Sequence, residues 1–398
     1  MAGSAPFSTT QPQASTGLYL DHAATTPLRP EVAEAMARAE AEGFGNPSSP
    51  HAVGRRARRL LEDSRERILE LLAARATGVG RDRLVFTSGA TEANRLGILG
   101  RRHPPAGIAA GSLRDHPGLR AAVADLAGRG HAVETLPLAP TGRIDEDALA
   151  AVTGRDLPLT VLSATLACGQ TGTLEDLARL RSIVGPRVHV HADATQAAMM
   201  PLDFGALPAD SLAFAPHKFE GPRGIGALVI RGGIDLVPLV PGPQESGLRG
   251  GTESVSLAVG FARAYELAVA ERETVARHVA GLRDAFEAAV LAAARAAGID
   301  ALVIAAAERR IPHLTTIAFP GRDRQAFVVA ADLAGVCCAS GTACASGSSE
   351  PAPALLAMGL DQALVGSAVR FSFGRRSTHE DVAAAVRRLA AIIARRRS

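Results

Sequence analysis

Short apolar runs alternate with helical patterns through the middle of this chain. "DRLVFTSGATEANRLGILG" predicts a strand, a tight turn and a helix. "LPLTVLSATLA" and "RVHVHADATQA" predict two further strands, and "DSLAFAPHK" and "GIGALVIRG" two short strands separated by a loop. Strands alternating with helices imply a mostly parallel sheet covered on both faces, in which ligands bind beyond the carboxyl ends of the strands. The polar clusters "TSGAT", "HADATQ" and "APHK" all lie where strands stop, which makes them the first functional clue. After about residue 260 the texture changes to a long Ala-rich helical stretch of one helix or two. Shorter strand candidates ("LTTIAFPG", "AVRFSFG") and a closing helix follow, which suggests a smaller α+β domain.

Composition narrows the class. At 398 residues and 47% apolar content, the chain can form two domains or one large α/β unit with an ample core. Trp is absent and aromatics are scarce, so the core must be built largely from Ala, Leu and Val. A net charge of +3 is small for this length, and the basic runs are interleaved with acids or terminal, so they read as solvated helix faces. Nucleic-acid binding is not expected, because no basic and aromatic platform is present. No apolar run approaches the roughly 20 residues that span a bilayer, and "MAGSAPFSTTQPQASTG" lacks the features of a signal peptide and reads as a disordered leader. Four cysteines form neither a disulfide framework nor a zinc-spaced set, so free thiols in a reducing cytoplasm are expected. Cys168 reads as filling a small buried gap, and Cys337 and Cys338 as strand residues ending the apolar run "AGVCC". The fourth, Cys344, lies in "ASGTACASGSSEP", a stretch of small residues that predicts a mobile loop.

Candidate chemistry gathers at the strand ends. Lys218 in "APHKFEGPRGIGAL" stands between an apolar run and a Gly-rich turn. It suits a Schiff base with an aldehyde cofactor, or is a surface lysine before a turn. Asp193 in "HADATQ" either keeps a pyridinium nitrogen protonated or caps a following helix. The "TSGATEAN" turn offers backbone N–H groups that suit a phosphate. "GPRGIG" has the wrong order for a dinucleotide fingerprint.

Taken in order, "YLDHAATTP", "GFGNPSSPHAVG", "VFTSGATEAN", "HADATQ", "HKFEGPRGIGAL", "RGGTES", "SGTACASGSSEP" and "AVRFSFGR" resemble the cysteine desulfurases. These belong to the class V aminotransferase-like branch of the fold-type I pyridoxal phosphate (PLP) enzymes. The resemblance runs from about Leu18 to Ala394, and the short cysteine loop is similar to the housekeeping and nitrogen-fixation type. It implies an α/β fold-type I PLP-dependent transferase, with a mostly parallel sheet in a large domain plus a smaller α+β domain. The expected limits are a leader over 1–17, an N-terminal segment over 18–28 packing with the small domain, a large domain over 29–275 and a small one over 276–398.

The resemblance also implies the site. Lys218 would carry the cofactor and Asp193 would pair with its ring nitrogen. His116 would stack on the ring and assist proton transfer, and Gln196 would contact the ring hydroxyl. Ala90, Thr91 and His217 would hold the phosphate, with Thr252 arriving from the partner of a homodimer. Arg370 would bind the substrate carboxylate, and Cys344 would be the nucleophile that takes sulfur from L-cysteine as a persulfide, leaving L-alanine. No metal is implied. The sulfur would pass to an acceptor protein, for iron–sulfur cluster assembly, tRNA thiolation or cofactor biosynthesis. A selenocysteine lyase or other PLP-dependent carbon–sulfur lyase, and a non-catalytic binding or assembly protein, are the alternative readings. Three departures stand against the family pattern. Gly169, with Gln170 beside it, occupies the place of an Asn that bonds the ring hydroxyl; Ala215 replaces a phosphate-binding Ser; and the chain stops soon after "AAIIARRRS".

Overall fold

The computed structural model describes residues 17–102, 104, 106–341 and 351–395. Twelve strands occur among them: β1 (Leu18–Tyr19), β2 (Arg83–Thr87), β3 (Ile108–Ser112), β4 (Ala132–Leu136), β5 (Leu159–Thr165), β6 (His189–Asp193), β7 (Ser211–Phe214), β8 (Gly226–Ile230), β9 (Leu302–Val303), β10 (Leu314–Ala318), β11 (Val336–Cys337) and β12 (Ala368–Ser372). Seven of them form one sheet in the order β2-β8-β7-β6-β5-β3-β4. Its pairs are parallel from β7 through β4, and only β8 runs against its two neighbours. Strands β3, β5, β6, β7 and β8 are buried along their whole length, as expected where helices cover both faces.

The helices between these strands start where the sequence supplies a cap. Asp145 accepts a hydrogen bond from Ala148 N and Asp176 one from Arg179 N, each satisfying an N–H that the first helical turn leaves open. The final helix, His379–Ala394, begins with a reciprocal box between Thr378 and Asp381.

Two large hydrophobic cores result, with two smaller clusters beside them. The first lies around the seven-stranded sheet. The second packs against the three-stranded antiparallel sheet β12-β10-β9 and contains Phe286, Phe319, Phe327, Phe371 and Phe373. The Ala-rich stretch after residue 254 is a single 42-residue helix, Val255–Ala296, consistent with Ala's helix propensity. Its Phe261 and Tyr265 sit in the first core and its Val275, Leu282 and Phe286 in the second. The N-terminal segment crosses between them: β1 pairs in parallel with β11, Leu20 joins the second core and Ala23 the first. No helix among the described residues is long and apolar enough to cross a membrane.

Candidate active site

The carboxyl ends of the parallel strands open into a cavity of about 690 Å³. Asp193 is the last residue of β6, Lys218 follows β7, and the helix Ala90–Leu99 begins just after β2. Ala90, Thr91, His116, Asp193, Gln196, His217, Lys218 and Arg370 all line it. The structure thus brings together eight of the ten site residues expected from the sequence. Thr252 is exposed and is not among the residues lining this cavity of its own chain. Cys344 lies outside the described residues, although Gly341, Pro351 and Pro353 on either side of its segment reach the cavity wall.

Lys218 ends a short 3₁₀ turn, Pro216–Lys218, and its Nζ donates to the carbonyl oxygens of Ala23 (2.7 Å) and Ala24 (2.9 Å). The same N-terminal segment accepts from Gln196 Nε2 through Ala23 O at 2.8 Å. These anchors come from residues some 195 and 173 positions away, which is why spacing along the chain gave no hint of them. His217, beside Lys218, is pushed down to a pKa of about 4 by burial first, and then by Lys218, Arg223 and His116. Its ring is therefore neutral at pH 7, with Nδ1 3.2 Å from Thr25 Oγ1.

Asp193, also on the cavity wall, is 4% exposed. One carboxylate oxygen accepts from Asn94 Nδ2 and the other from Thr195 N, both at 2.8 Å. The second bond closes a turn, and the residues after Asp193 are turns rather than the capped helix that was the alternative expectation. His116 caps the helix Pro117–Ala124, and its Nδ1 accepts from Gly118 N at 3.0 Å. That bond places the proton of the neutral ring on Nε2. Asp115, next to it, is fully buried and holds the turn by accepting from Ser112 N, Ser163 Oγ and Thr165 N. Burial pushes its carboxyl above the usual range, opposed by those donors and by Arg114.

Arg370 projects from β12 and is held on two sides: NH1 donates to Gly169 O and NH2 to Asp21 Oδ1, each at 2.8 Å. The Asp21 contact was not anticipated, although Asp21 lies within the quoted "YLDHAATTP". Gly169 neighbours Gln196: a Cβ there would stand 3.4 Å from Gln196 Nε2, an ordinary contact distance. Gln170 does not take over the ring-side role of the missing Asn. Its Oε1 accepts from Ala354 N at 3.0 Å, on the start of the helix Pro353–Ala357, and its backbone oxygen accepts from Thr316 Oγ1. Ala215 is buried and, lacking a hydroxyl, offers no donor where the family's Ser would stand. Cys338 has a thiol held in its protonated form, its pKa pushed up to about 12 by burial and by Asp21. Cys337 is shifted in the same direction, which keeps both thiols poor nucleophiles.

The donor set fits pyridoxal phosphate. The opening turn of Ala90–Leu99 presents N–H groups suited to a phosphate, and a lysine amine and a buried carboxylate share one cavity wall with it. Gly226 of β8 passes so close to the start of that helix that a Cβ would lie 2.4 Å from Gly89 C, which explains a glycine in "GPRGIGAL". Thr165 Oγ1 and Thr195 Oγ1, on the cavity wall, are buried without a hydrogen-bond partner.

Residues 18–385 match the family described as aminotransferase class-V. The chain is 36% identical over 396 residues to an IscS-like cysteine desulfurase of Mycobacterium tuberculosis, covering 95% of this chain and 97% of the relative. It is 32% identical over 388 residues to the cysteine desulfurase NifS of Azotobacter vinelandii, covering 96% and 94%. A solved NifS-like protein superposes with a TM-score of 0.84 at 27% identity, over 94% of this chain and 99% of that one. With the fold, the cavity and these relatives in agreement, the chain belongs to the class-V aminotransferases, a family of PLP-dependent enzymes, in its cysteine desulfurase branch.

Proposed function

We propose that this protein takes sulfur from L-cysteine onto Cys344, releases L-alanine, and passes the sulfur to an acceptor protein. The observation that carries this reading is the single cavity on which Lys218, Asp193, His116, His217 and Arg370 converge. Pyridoxal phosphate, when bound, supplies an electron sink for the charge left as the substrate's α-proton departs. Every other task falls to residues of the chain. Arg370, oriented by Asp21 and Gly169 O, offers a guanidinium fork to the substrate carboxylate. Lys218 would hold the cofactor covalently, and its free amine would be the group on this wall to move the α-proton. His116, with its proton on Nε2, is a second donor on the same wall. Asp193, on the same cavity wall, would pair with the ring nitrogen. The Cys344 thiolate attacks the substrate sulfur: an S–S bond forms, the substrate C–S bond breaks, and a proton returns to the carbon that becomes alanine's methyl. The sum is cysteine plus thiol to alanine plus persulfide, so no external oxidant is needed.

The exposed Thr252 fits a homodimer in which it completes the partner's phosphate site, and a persulfide carrier suits a reducing cytoplasm. An iron–sulfur scaffold or a tRNA-thiolation protein is the proposed acceptor. Domain limits at 29–275 and 276–398 are part of this proposal; the long helix leaves the first core at Val269 and enters the second at Val275, which supports a boundary close to there. The test is mass spectrometry of protein incubated with PLP and L-cysteine. Expected are one added sulfur on Cys344, stoichiometric alanine, and borohydride trapping of PLP on Lys218. Sulfide release that survives Cys344→Ala would instead indicate a carbon–sulfur lyase, and PLP uptake without turnover a binding protein.

A further inference from the structure

Strand β6 reads His189-Val190-His191-Ala192-Asp193 and is buried throughout. Its three polar residues are two apart, so all point to the same face, where a fully buried strand would ordinarily carry Val or Ile. That face meets the helix Ala90–Leu99, which supplies Asn94, and strand β7 supplies Ser211 at its edge.

These side chains form one connected line. Asn94 Nδ2 meets Asp193 Oδ2 at 2.8 Å, and Asn94 Oδ1 meets His191 Nε2 at 2.8 Å. His191 Nδ1 meets Ser211 Oγ at 2.8 Å, and Ser211 Oγ meets His189 Nε2 at 3.2 Å. His189 Nε2 is also 3.2 Å from Gly97 O, and His189 Nδ1 is 3.4 Å from Arg101 NH1. Asn94, His189, His191 and Ser211 are each at most 1% exposed.

The two ends fix the direction of every bond. Gly97 O can only accept and Arg101 can only donate, so His189 carries its proton on Nε2, shared between Gly97 O and Ser211 Oγ, and accepts on Nδ1, from which the Asp210 carboxylate stands 4.0 Å away. Ser211 then accepts from His189 and gives its hydroxyl proton to His191 Nδ1. His191 therefore donates from Nε2 to the Asn94 oxygen, and the Asn94 amide donates to Asp193. Both histidines are neutral in this scheme, in agreement with the pKa of His191, which burial pushes down to about 4 against the pull of Asp193. The packing is built around the imidazole: a Cβ on Gly97 would stand 2.5 Å from His191 Nδ1.

We propose that Asn94, His191, Ser211 and His189 are positioning residues, a one-way chain of donors that keeps Asp193 ionised and so leaves the proton of the Asp193–cofactor pair on the ring nitrogen. Without the chain the carboxylate becomes more basic and draws that proton toward itself. The inference rests on PLP being the cofactor, and the test separates the two. Protein loaded with PLP labelled with ¹⁵N in the ring is followed by ¹⁵N NMR between pH 6 and 9, with thermal melts as a folding control. Wild type should give the protonated-nitrogen signal throughout. Asn94→Leu should move the signal toward unprotonated pyridine, with the ratio of protonated to unprotonated nitrogen falling about tenfold. Ser211→Ala, the milder variant, should move it less and in the same direction, and decides the question if Asn94→Leu does not fold. Yellow, folded variants with the wild-type nitrogen signal overturn the chain's role alone. A wild type that takes up no PLP, and so gives no cofactor signal, overturns the cofactor reading and the role with it.

Discussion

Two strands each deliver one charge to the cavity, of opposite sign, and they do so in opposite ways. Strand β6 ends in Asp193, whose carboxyl oxygens accept from Asn94 on the adjacent helix and from Thr195 N in the turn that follows, with His191 of the same strand face behind Asn94. Strand β12 carries Arg370, a guanidinium backed by acceptors drawn from distant pieces of chain, Asp21 and Gly169 O. The Asp193 end is fixed within the sheet core. The Arg370 end is assembled where the N-terminal segment, the loop after β5 and β12 meet. Under the proposed roles, the charge that holds one partner unchanged is set in packed structure, and the charge that takes and releases substrate is set at a junction of segments.

The comparison can be broken most severely at Asp193. Asp193→Asn removes the charge but keeps the shape, and kcat should fall about a thousandfold while L-cysteine binding changes little. Steady-state kinetics of the PLP-loaded variant check this. Arg370→Lys should act on the other term: losing the two-pronged contact costs about 2 kcal/mol, so KM for L-cysteine should rise roughly 30-fold. A kcat loss as large as that of Asp193→Asn would show that the two ends are not separable. Gly97→Ala presses on His191 and should lower stability by about 2 kcal/mol, read as a Tm lower by a few degrees.

Acid should act through the buried histidines. Burial holds His22, His191, His217 and His313 at pKa values of about 4. In the unfolded chain they titrate near 6.5, so between these values the unfolded state binds more protons and stability falls as pH drops from 6.5 toward 4. Melts across this window should show the decline, and His191→Gln should make it shallower. Asp21→Asn is the mildest change, since the amide oxygen can still accept from Arg370; KM should shift less than about threefold. A larger shift would mean that the Asp21 charge itself, beyond its geometry, steers the substrate.

Much of the cavity was legible from strand ends and motif order, because Lys218, Asp193, His217 and the Ala90–Thr91 turn are each local features of strand-to-turn segments. Their partners were not. Asp21 and Asn94 lay inside quoted motifs without a role, since their contacts join segments 349 and 99 positions apart. A usable signal was present in "HVHAD": two histidines and an aspartate on one face of a strand otherwise apolar enough to be buried imply a polar network behind it. Gln170, by contrast, read as a neighbour of the ring site. Its rotation onto Ala354 N depends on where the helix Pro353–Ala357 docks, which no local pattern encodes.

The helix Val255–Ala296 carries a final implication. At 42 residues it is roughly 63 Å long, a single rod embedded in both cores. The two cores share this piece of secondary structure, so neither can melt while leaving the other's helix fully packed. The protein should therefore unfold in one transition rather than domain by domain. Expressed separately, two halves divided within this helix would each keep only part of the rod, and neither half should fold alone.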